Sequence, residues 1–334
     1  MAPEVSVLMP VRDGERHVVE AIESITCQTF AELELIVVDD GSRDGTAELV
    51  AELARADSRV RLVHQERAGI VMALERARGL AGGRFIARMD ADDIATPERV
   101  DLQVARLREG DVSACGGQVE FFPRTTVRDG MRGYEEWLNS LTTPESAASD
   151  VYVECPIAHP ALMVRRESLA AIGGWRTRAW PEDYDLVLRL HRYGSRFCNV
   201  GALVLRWRDH ESRLSRTEGR YAIAAFVRCK VHHLRRQFLG RNSSVVLYGA
   251  GPVGKSFCLE LQRRGVEVEA FLDVNPRKIG KQVHGVPVHA VDSAPVFSHA
   301  LALGAVAGRH AREQIRAAIS ESGRREGVDF IAVA

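Results

Sequence analysis

Aromatic residues are scarce in this 334-residue chain, at 6%. No apolar run approaches the roughly 20 residues that a membrane-spanning helix needs, so no integral membrane segment is expected. Net charge of one sign is also lacking. Its 45 Lys and Arg balance 45 Asp and Glu, which argues against nucleic acid or another bulk polyanion as partner. The N-terminus shows no basic stretch ahead of an apolar core and no cleavage signal, so no secretory leader is expected. The six cysteines, Cys27, Cys115, Cys155, Cys198, Cys229 and Cys258, are scattered without metal-type spacing. They read as reduced residues of a cytoplasmic protein.

What is present is an ordinary globular composition, 46% hydrophobic and 27% charged. The length exceeds what one core usually holds, which implies two domains. Strand and helix patterns alternate from the start. Val5–Met9 reads as a strand ended by Pro10, Glu15–Thr26 has helical spacing, and Glu34–Val38 is the next strand. Helices over Thr46–Ala56 and Val71–Leu80, and strands over Val60–Val63 and Phe85–Met89, continue the rhythm. This order predicts an α/β fold, a mostly parallel sheet with helices on both faces. The middle is less regular. Val112–Phe122 reads as one or two strands, Thr125–Asp150 as loop-rich with a helix around Tyr134–Leu141, and Pro160–Val164 as a strand. A short helix over Glu167–Ile172, a Gly173-Gly174-Trp175 turn, a helix over Tyr184–Arg192 and a strand over Val200–Trp207 follow. A basic helical stretch, Glu218–Leu239, and a linker at Arg241-Asn242-Ser243-Ser244 lead to a second, smaller β-α-β unit from Val245. The expected divisions are residues 1–217, 218–241 and 242–334, with the boundary near Asn242.

Two acidic clusters carry the chemistry. Val37-Val38-Asp39-Asp40-Gly41-Ser42 and Arg88-Met89-Asp90-Ala91-Asp92-Asp93 each follow a run that reads as a buried strand. Carboxylates at the C-terminal ends of parallel strands face the crevice where open α/β sheets bind ligands. Asp90-Ala91-Asp92 is a D-x-D, and hard cations such as Mg²⁺ or Mn²⁺ take oxygen ligands, with a bound diphosphate supplying more. The bland alternatives are a solvated helix N-cap before Pro97-Glu98-Arg99 and an Asp-Gly turn at Asp40-Gly41.

At this point the chain resembles the family 2 glycosyltransferases, which have the GT-A fold. The matching text is Val7-Leu8-Met9-Pro10-Val11-Arg12-Asp13-Gly14, Ala21–Ile25, Gln28-Thr29-Phe30, Val37–Ser42, and Arg88–Asp93 with Pro97 and Arg99. It continues in His159-Pro160, Gly173-Gly174-Trp175 and Glu182-Asp183, in family order. The resemblance implies a metal-dependent, inverting transfer from a nucleoside-diphosphate-sugar to a glycan or lipid-linked acceptor in surface polysaccharide synthesis. It implies that Pro10, Val11 and Asp40 hold the base, Asp90 contacts the ribose side, Asp92 ligates Mg²⁺ or Mn²⁺, and Asp183 is the general base. The Asp183 carboxylate would take the acceptor hydroxyl's proton. The competing role for Asp183 is an N-cap on the following helix. Trp207–Ser215 looks like the family's terminal loop, where His210 or Arg213 would bind diphosphate or metal, or the loop is simply exposed and polar. His159 reads as part of a local turn. Asp13 and Glu75 stand where relatives carry Asn, and an acid at Glu75 would alter the site near the nucleotide.

The C-terminal unit carries Gly249-Ala250-Gly251-Pro252-Val253-Gly254, a full G-x-G-x-x-G between a strand and a helix. Asp273 ends the next strand, where a ribose-binding acid is expected. The unit resembles Rossmann-like domains of sugar-modifying enzymes. It would bind NAD(P) or another nucleotide through Gly249, Gly251, Gly254 and Asp273, or dock a partner, or bind nothing. The basic stretch has an apolar stripe of Ile223, Phe226, Val227, Val231 and Leu234. It would either touch an anionic inner membrane face or pack within the protein. A homo-oligomer formed through the second domain is compatible with this sequence.

Two other functions fit parts of the pattern. A non-catalytic nucleotide-sugar and dinucleotide sensor or scaffold would need neither Asp92 nor Asp183. A sugar-1-phosphate nucleotidyltransferase would need a glycine-rich loop after the first strand, whereas Pro10–Arg16 lacks the glycine density to cradle a triphosphate.

Overall fold

The computed structural model describes residues 3–211, 213–240 and 243–334. The expected boundary at Asn242, with Arg241 beside it, lies outside the described residues. Two compact units are present. One comprises Met1–Ala148, Pro156–Arg178 and Asp185–Thr217, and the other Ser149–Cys155, Ala179–Tyr184 and Glu218–Ala334.

The first unit is built on eight strands: β1 (Val5–Val11), β2 (Leu33–Asp40), β3 (Val60–Gln65), β4 (Phe85–Arg88), β5 (Ile94–Ala95), β6 (Ala114–Phe122), β7 (Met163–Arg165) and β8 (Phe197–Arg208). Their order is β3-β2-β1-β4-β7-β6-β8-β5. β3, β2, β1 and β4 run parallel. β7 is antiparallel to β4 and β6, and β5 pairs antiparallel with the end of β8. β1 and β2 are buried almost throughout because helices cover both faces of a parallel sheet. The helix Val18–Thr26 contributes Val18, Ala21, Ile22 and Ile25, one stripe at helical spacing, to that core. Val11 sits opposite Asp39 and Asp40 opposite Gln65, while Leu8 sits opposite Arg88. The acidic strand ends of β2 and β4 therefore flank the end of β1 on one edge of the sheet.

The second unit holds β9 (Ser244–Tyr248), β10 (Glu267–Asp273), β11 (Gln282–Val283), β12 (Val286–Ala290), β13 (Leu301–Gly304) and β14 (Phe330–Ala332), in the order β11-β12-β10-β9-β13-β14. All neighbours are parallel except β11 and β12. With the helices Pro252–Arg263 and Arg309–Glu321 this is a Rossmann-like layer.

Several expectations shift in detail. The first helix begins at Val18 rather than Glu15, because residues 13–15 are occupied in bonds to a neighbouring loop. The loop-rich stretch contains two helices, Asp129–Ser140 and Pro144–Ser149. Pro160 lies in a 3-10 turn, His159–Ala161, ahead of β7. The basic stretch is a 3-10 turn, Gly219–Tyr221, then a helix over Ile223–Gln237, with Ala222 extended between them. Val227, Val231 and Leu234 of its stripe are buried, so they serve packing, while Ile223 is exposed. Lys230 on the same helix is buried and donates to the carbonyls of Val153 and Val333. No helix among the described residues is long and apolar enough to cross a membrane.

Candidate active site

The chain leaves β4 at Arg88 and turns through the D-x-D. Asp90, Asp92 and Asp93 each offer a carboxylate oxygen to a group lying within 4.8 Å of one another. Three hard anionic oxygens at this separation form a donor set suited to Mg²⁺ or Mn²⁺, so the residues present fit the expected metal. Mutual repulsion and burial act on their protonation. Burial, with Asp92 and Asp90 adding to it, pushes Asp93 well above the usual carboxylate range. Burial also raises Asp90, opposed by the Arg88 guanidinium that pairs with it. Burial alone would raise Asp92, but the hydrogen bond and charge of His210, with Arg213 and Arg88, hold it below the ordinary value.

The end of β8 closes over this turn. The Arg208 N–H donates to Asp93 Oδ1 at 2.7 Å, and Arg208 Nε donates to the Asp92 carbonyl at 2.6 Å. His210 Nε2 lies 2.7 Å from Asp92 Oδ2. Arg213 packs its guanidinium 4.7 Å from the Trp207 ring centroid and lies 3.8 Å from Asp209. His17 stands with its ring centroid 6.3 Å from that of His210. Burial, then the charge of Arg208, lowers the His17 pKa.

On the opposite side of β1, the expected base-binding residues are placed together. Pro10 and Val11 end β1 beside Asp39 and Asp40. Asp40 is buried and already accepts from Gln65 Nε2 at 2.6 Å and from the backbone N–H groups of Ala68 and Gly69 at 2.7 and 2.9 Å. It pins the loop that enters the helix Ile70–Leu80. Asp39 accepts from the Ser42 N–H and meets His64 Nδ1 at 3.2 Å. The loops after β1 and β2 are sewn together. The Asp13 N–H donates to Ser42 Oγ, the Arg43 N–H to Asp13 Oδ1, and the Gly14 N–H to Thr46 Oγ1. The Gly45 N–H donates to Glu15 Oε2, and the Glu15 N–H to Asp44 Oδ2. Asp13 holds φ at 49°, a left-handed conformation that Asp and Asn tolerate better than most residues.

Glu75 is engaged by structural partners. Its Oε1 accepts the Trp175 N–H at 2.7 Å, and it pairs with Arg78. Gly174 has φ of 63°, and a Cβ there would collide with Glu75 Oε1, so the second glycine of the Gly173-Gly174-Trp175 turn is required twice over. The Trp175 indole N–H donates to His159 Nε2 at 2.9 Å. His159 is buried, and burial with the Arg88 charge lowers its pKa well below the usual value, so it is a neutral acceptor.

The Glu182–Arg192 helix carries Asp183 in its first turn. Asp183 is half-buried, and its Oδ1 accepts the Tyr184 N–H at 2.7 Å. Glu182 is buried and accepts from the Tyr221 hydroxyl at 2.8 and 2.9 Å. Asp185 is buried in an ion pair with Arg189 at 2.7 Å. Within the first unit the structure therefore brings together Asp90, Asp92, His210 and Arg213 at one strand end, with Pro10 and Val11 at the next and Asp40 at the one beyond. Asp183 belongs to the second unit by its contacts.

In the second unit, Gly249, Gly251 and Gly254 lie at the junction of β9 with the helix Pro252–Arg263. A Cβ on Gly254 would collide with the Gly249 carbonyl, which is the close strand–helix approach this motif serves. Asp273 accepts from the N–H groups of Ala250 and Asn275 and from Lys278 Nζ. Burial opposes the shift, but these donors lower its pKa. Its carboxylate thus stitches the glycine loop to its own strand end.

Sequence alone assigns no role to Asp93, Arg88, Arg208 or His17. Asp93 was legible as the last residue of Asp90-Ala91-Asp92-Asp93. Arg208 and His17 come from distant segments, and no local signal marks them.

A family model described as glycosyl transferase family 2 matches residues 6–173, and one described as CoA binding domain matches residues 241–325. The second match gives no support to NAD(P) as the ligand of the glycine-rich unit. A Bacillus subtilis (strain 168) protein described as a glycosyltransferase, EpsE, is 32% identical over 228 residues, covering 66% of this chain and 78% of its own. Among solved structures, S. aureus TarS 1-349 in complex with UDP-GlcNAc superposes with a TM-score of 0.58 at 16% identity, covering 78% of this chain and 72% of that one. The mannosyltransferase PcManGT from Pyrobaculum calidifontis in complex with GDP-Man and Mn²⁺ gives a TM-score of 0.51 at 22% identity, covering 71% and 64%. These structural likenesses establish a shared GT-A fold.

Proposed function

As the chain belongs to glycosyl transferase family 2 and is a glycosyltransferase, we propose that it performs a metal-dependent, inverting transfer. The donor is a nucleoside-diphosphate-sugar and the acceptor a glycan or lipid-linked glycan of surface polysaccharide assembly. The observation that carries this reading is the carboxylate group of Asp90, Asp92 and Asp93 one strand away from Pro10 and Val11 and two from Asp40. The ligands in those two structures, UDP-GlcNAc for TarS and GDP-Man with Mn²⁺ for PcManGT, are of the same chemical class.

Asp92 would hold the divalent cation in this reading, with His210 beside it. When bound, the cation supplies Lewis-acid stabilisation of the leaving diphosphate. Arg213 and Arg88 add positive charge to the same site. Asp90 faces the ribose side. Pro10 and Val11 form the floor for the base, and Asp40 fixes the wall through the Ala68 and Gly69 amides. The Asp183 carboxylate accepts the proton of the attacking acceptor hydroxyl, with the Tyr184 N–H bond to Oδ1 fixing its place in the first turn. Tyr221 and Arg220 hold Glu182 next to it, which orients the first turn of that helix.

The test is donor hydrolysis and thermal stabilisation across a panel of nucleotide-sugars with Mn²⁺, using wild type and Asp92→Ala. A donor that acts only with metal and Asp92 is the expected result. No response to any donor overturns the reading and favours the sensor alternative.

A further inference from the structure

Asp93 is 1% exposed. Its two oxygens have different surroundings. Oδ1 accepts the Arg208 N–H at 2.7 Å. Oδ2 is buried and has no hydrogen-bond partner among the described residues. A buried carboxylate oxygen without a donor is costly and calls for a compensating positive charge. The basic groups around it are already directed elsewhere. Arg88 pairs with Asp90, Arg208 gives its side chain to Glu20 and the Asp92 carbonyl, and Arg99 Nη2 donates to the Arg88 carbonyl. What Asp93 does share is a position within 4.8 Å of the oxygens of Asp90 and Asp92.

We infer that Asp93 Oδ2 is a second protein oxygen for the divalent cation, in addition to Asp92, while Oδ1 anchors the end of β8. The assignment rests on the cation-dependent reading above. One side chain would thereby join the metal to the segment that delivers His210. A cation resolves in one step both the orphaned oxygen and the crowding of three carboxylates. Neither an N-cap nor a solvated acidic turn accounts for an oxygen that is buried and donor-free.

The test measures Mn²⁺ binding to the full chain without donor, by calorimetry and by loss of the free Mn²⁺ electron paramagnetic resonance signal. Asp93→Asn keeps an oxygen to accept the Arg208 N–H and removes the charge. Its Mn²⁺ dissociation constant is expected to rise by about tenfold or more, with the metal-free melting temperature unchanged or higher. Asp92→Asn is the positive control. Loss of Mn²⁺ binding in Asp92→Asn with wild-type affinity in Asp93→Asn would overturn the assignment of Asp93 alone. Failure of the wild-type chain to bind Mn²⁺ would overturn the cation-dependent reading itself. Anomalous scattering from Mn²⁺-soaked wild-type crystals needs no variant. An Asp93 oxygen at about 2.1 Å from the ion, a hard-cation bond length, is expected, and one beyond hydrogen-bonding range refutes the inference.

Discussion

His210 Nε2 lies 2.7 Å from Asp92 Oδ2, although the two residues are far apart in the chain and sit on different strand ends. The contact is held from both sides. Arg208 donates to the Asp92 carbonyl, and β5, which follows the D-x-D directly, pairs Ile94 with Arg206 of β8. His210→Ala is therefore expected to raise the Mn²⁺ concentration needed for half-maximal activity by about 10- to 100-fold. The fold should survive, because the Arg208 bonds remain. A metal titration of the transfer rate checks this, and an unchanged half-maximal concentration would remove His210 from the site.

Asp183→Asn should separate chemistry from binding. The amide oxygen can keep the Tyr184 N–H, so helix and melting temperature should change little. A general base contributes about 10²- to 10⁴-fold, and kcat should fall by that order while donor affinity stays level. Equal losses in kcat and in donor binding would point to a positioning role.

Glu75 and Gly174 predict a stability effect away from the chemistry. Glu75→Ala leaves the Trp175 N–H without its acceptor and Arg78 without its partner, a loss of about 1–3 kcal/mol. Gly174→Ala adds a Cβ at positive φ against Glu75, and should cost at least as much as the roughly 1 kcal/mol typical of such strain. Urea midpoints report both. A midpoint unchanged in Glu75→Ala would mean the turn is held by other contacts.

The buried His159 makes stability depend on pH. Its folded pKa is depressed well below 6.5 by burial and then by Arg88, so the folded protein keeps it neutral where the unfolded chain takes up a proton. Stability from this residue is complete above the unfolded pKa and is lost as pH falls below about 6.5, by at most about 1.4 kcal/mol per pH unit. His191, lowered by burial, acts in the same direction. Urea unfolding at pH 7.5 and pH 5.5 should show the drop. His159→Gln, whose amide oxygen can accept the Trp175 indole N–H, should flatten part of it. Identical slopes in the two proteins would assign the dependence to other groups.

Much of the first unit could be read before any coordinates, for a physical reason. Buried parallel strands are continuous apolar runs, and Asp39-Asp40 and Asp90-Ala91-Asp92 stand out where those runs stop. β5 could not be read, since a two-residue strand has no period. The Leu301–Gly304 and Phe330–Ala332 strands leave no legible period because each is short and fully buried. The attachment of Ser149–Cys155 and Ala179–Tyr184 to the second unit depends on contacts far along the chain, which local pattern does not encode. Lys230 looked like part of a basic face, yet two carbonyls, of Val153 and Val333, hold it inside. Glu75 was legible as a departure from the family pattern, but its partner, the Trp175 amide, was not.

The left-handed Asp13 carries a consequence for how this chain can drift. What the loop demands there is a short side chain that tolerates φ of 49° and presents one oxygen to the Arg43 amide. Aspartate and asparagine both meet that demand, and their codons differ at a single base. An acid–amide exchange at this position thus leaves the loop's backbone as it is and removes the charge that Arg12 Nε meets at 3.5 Å.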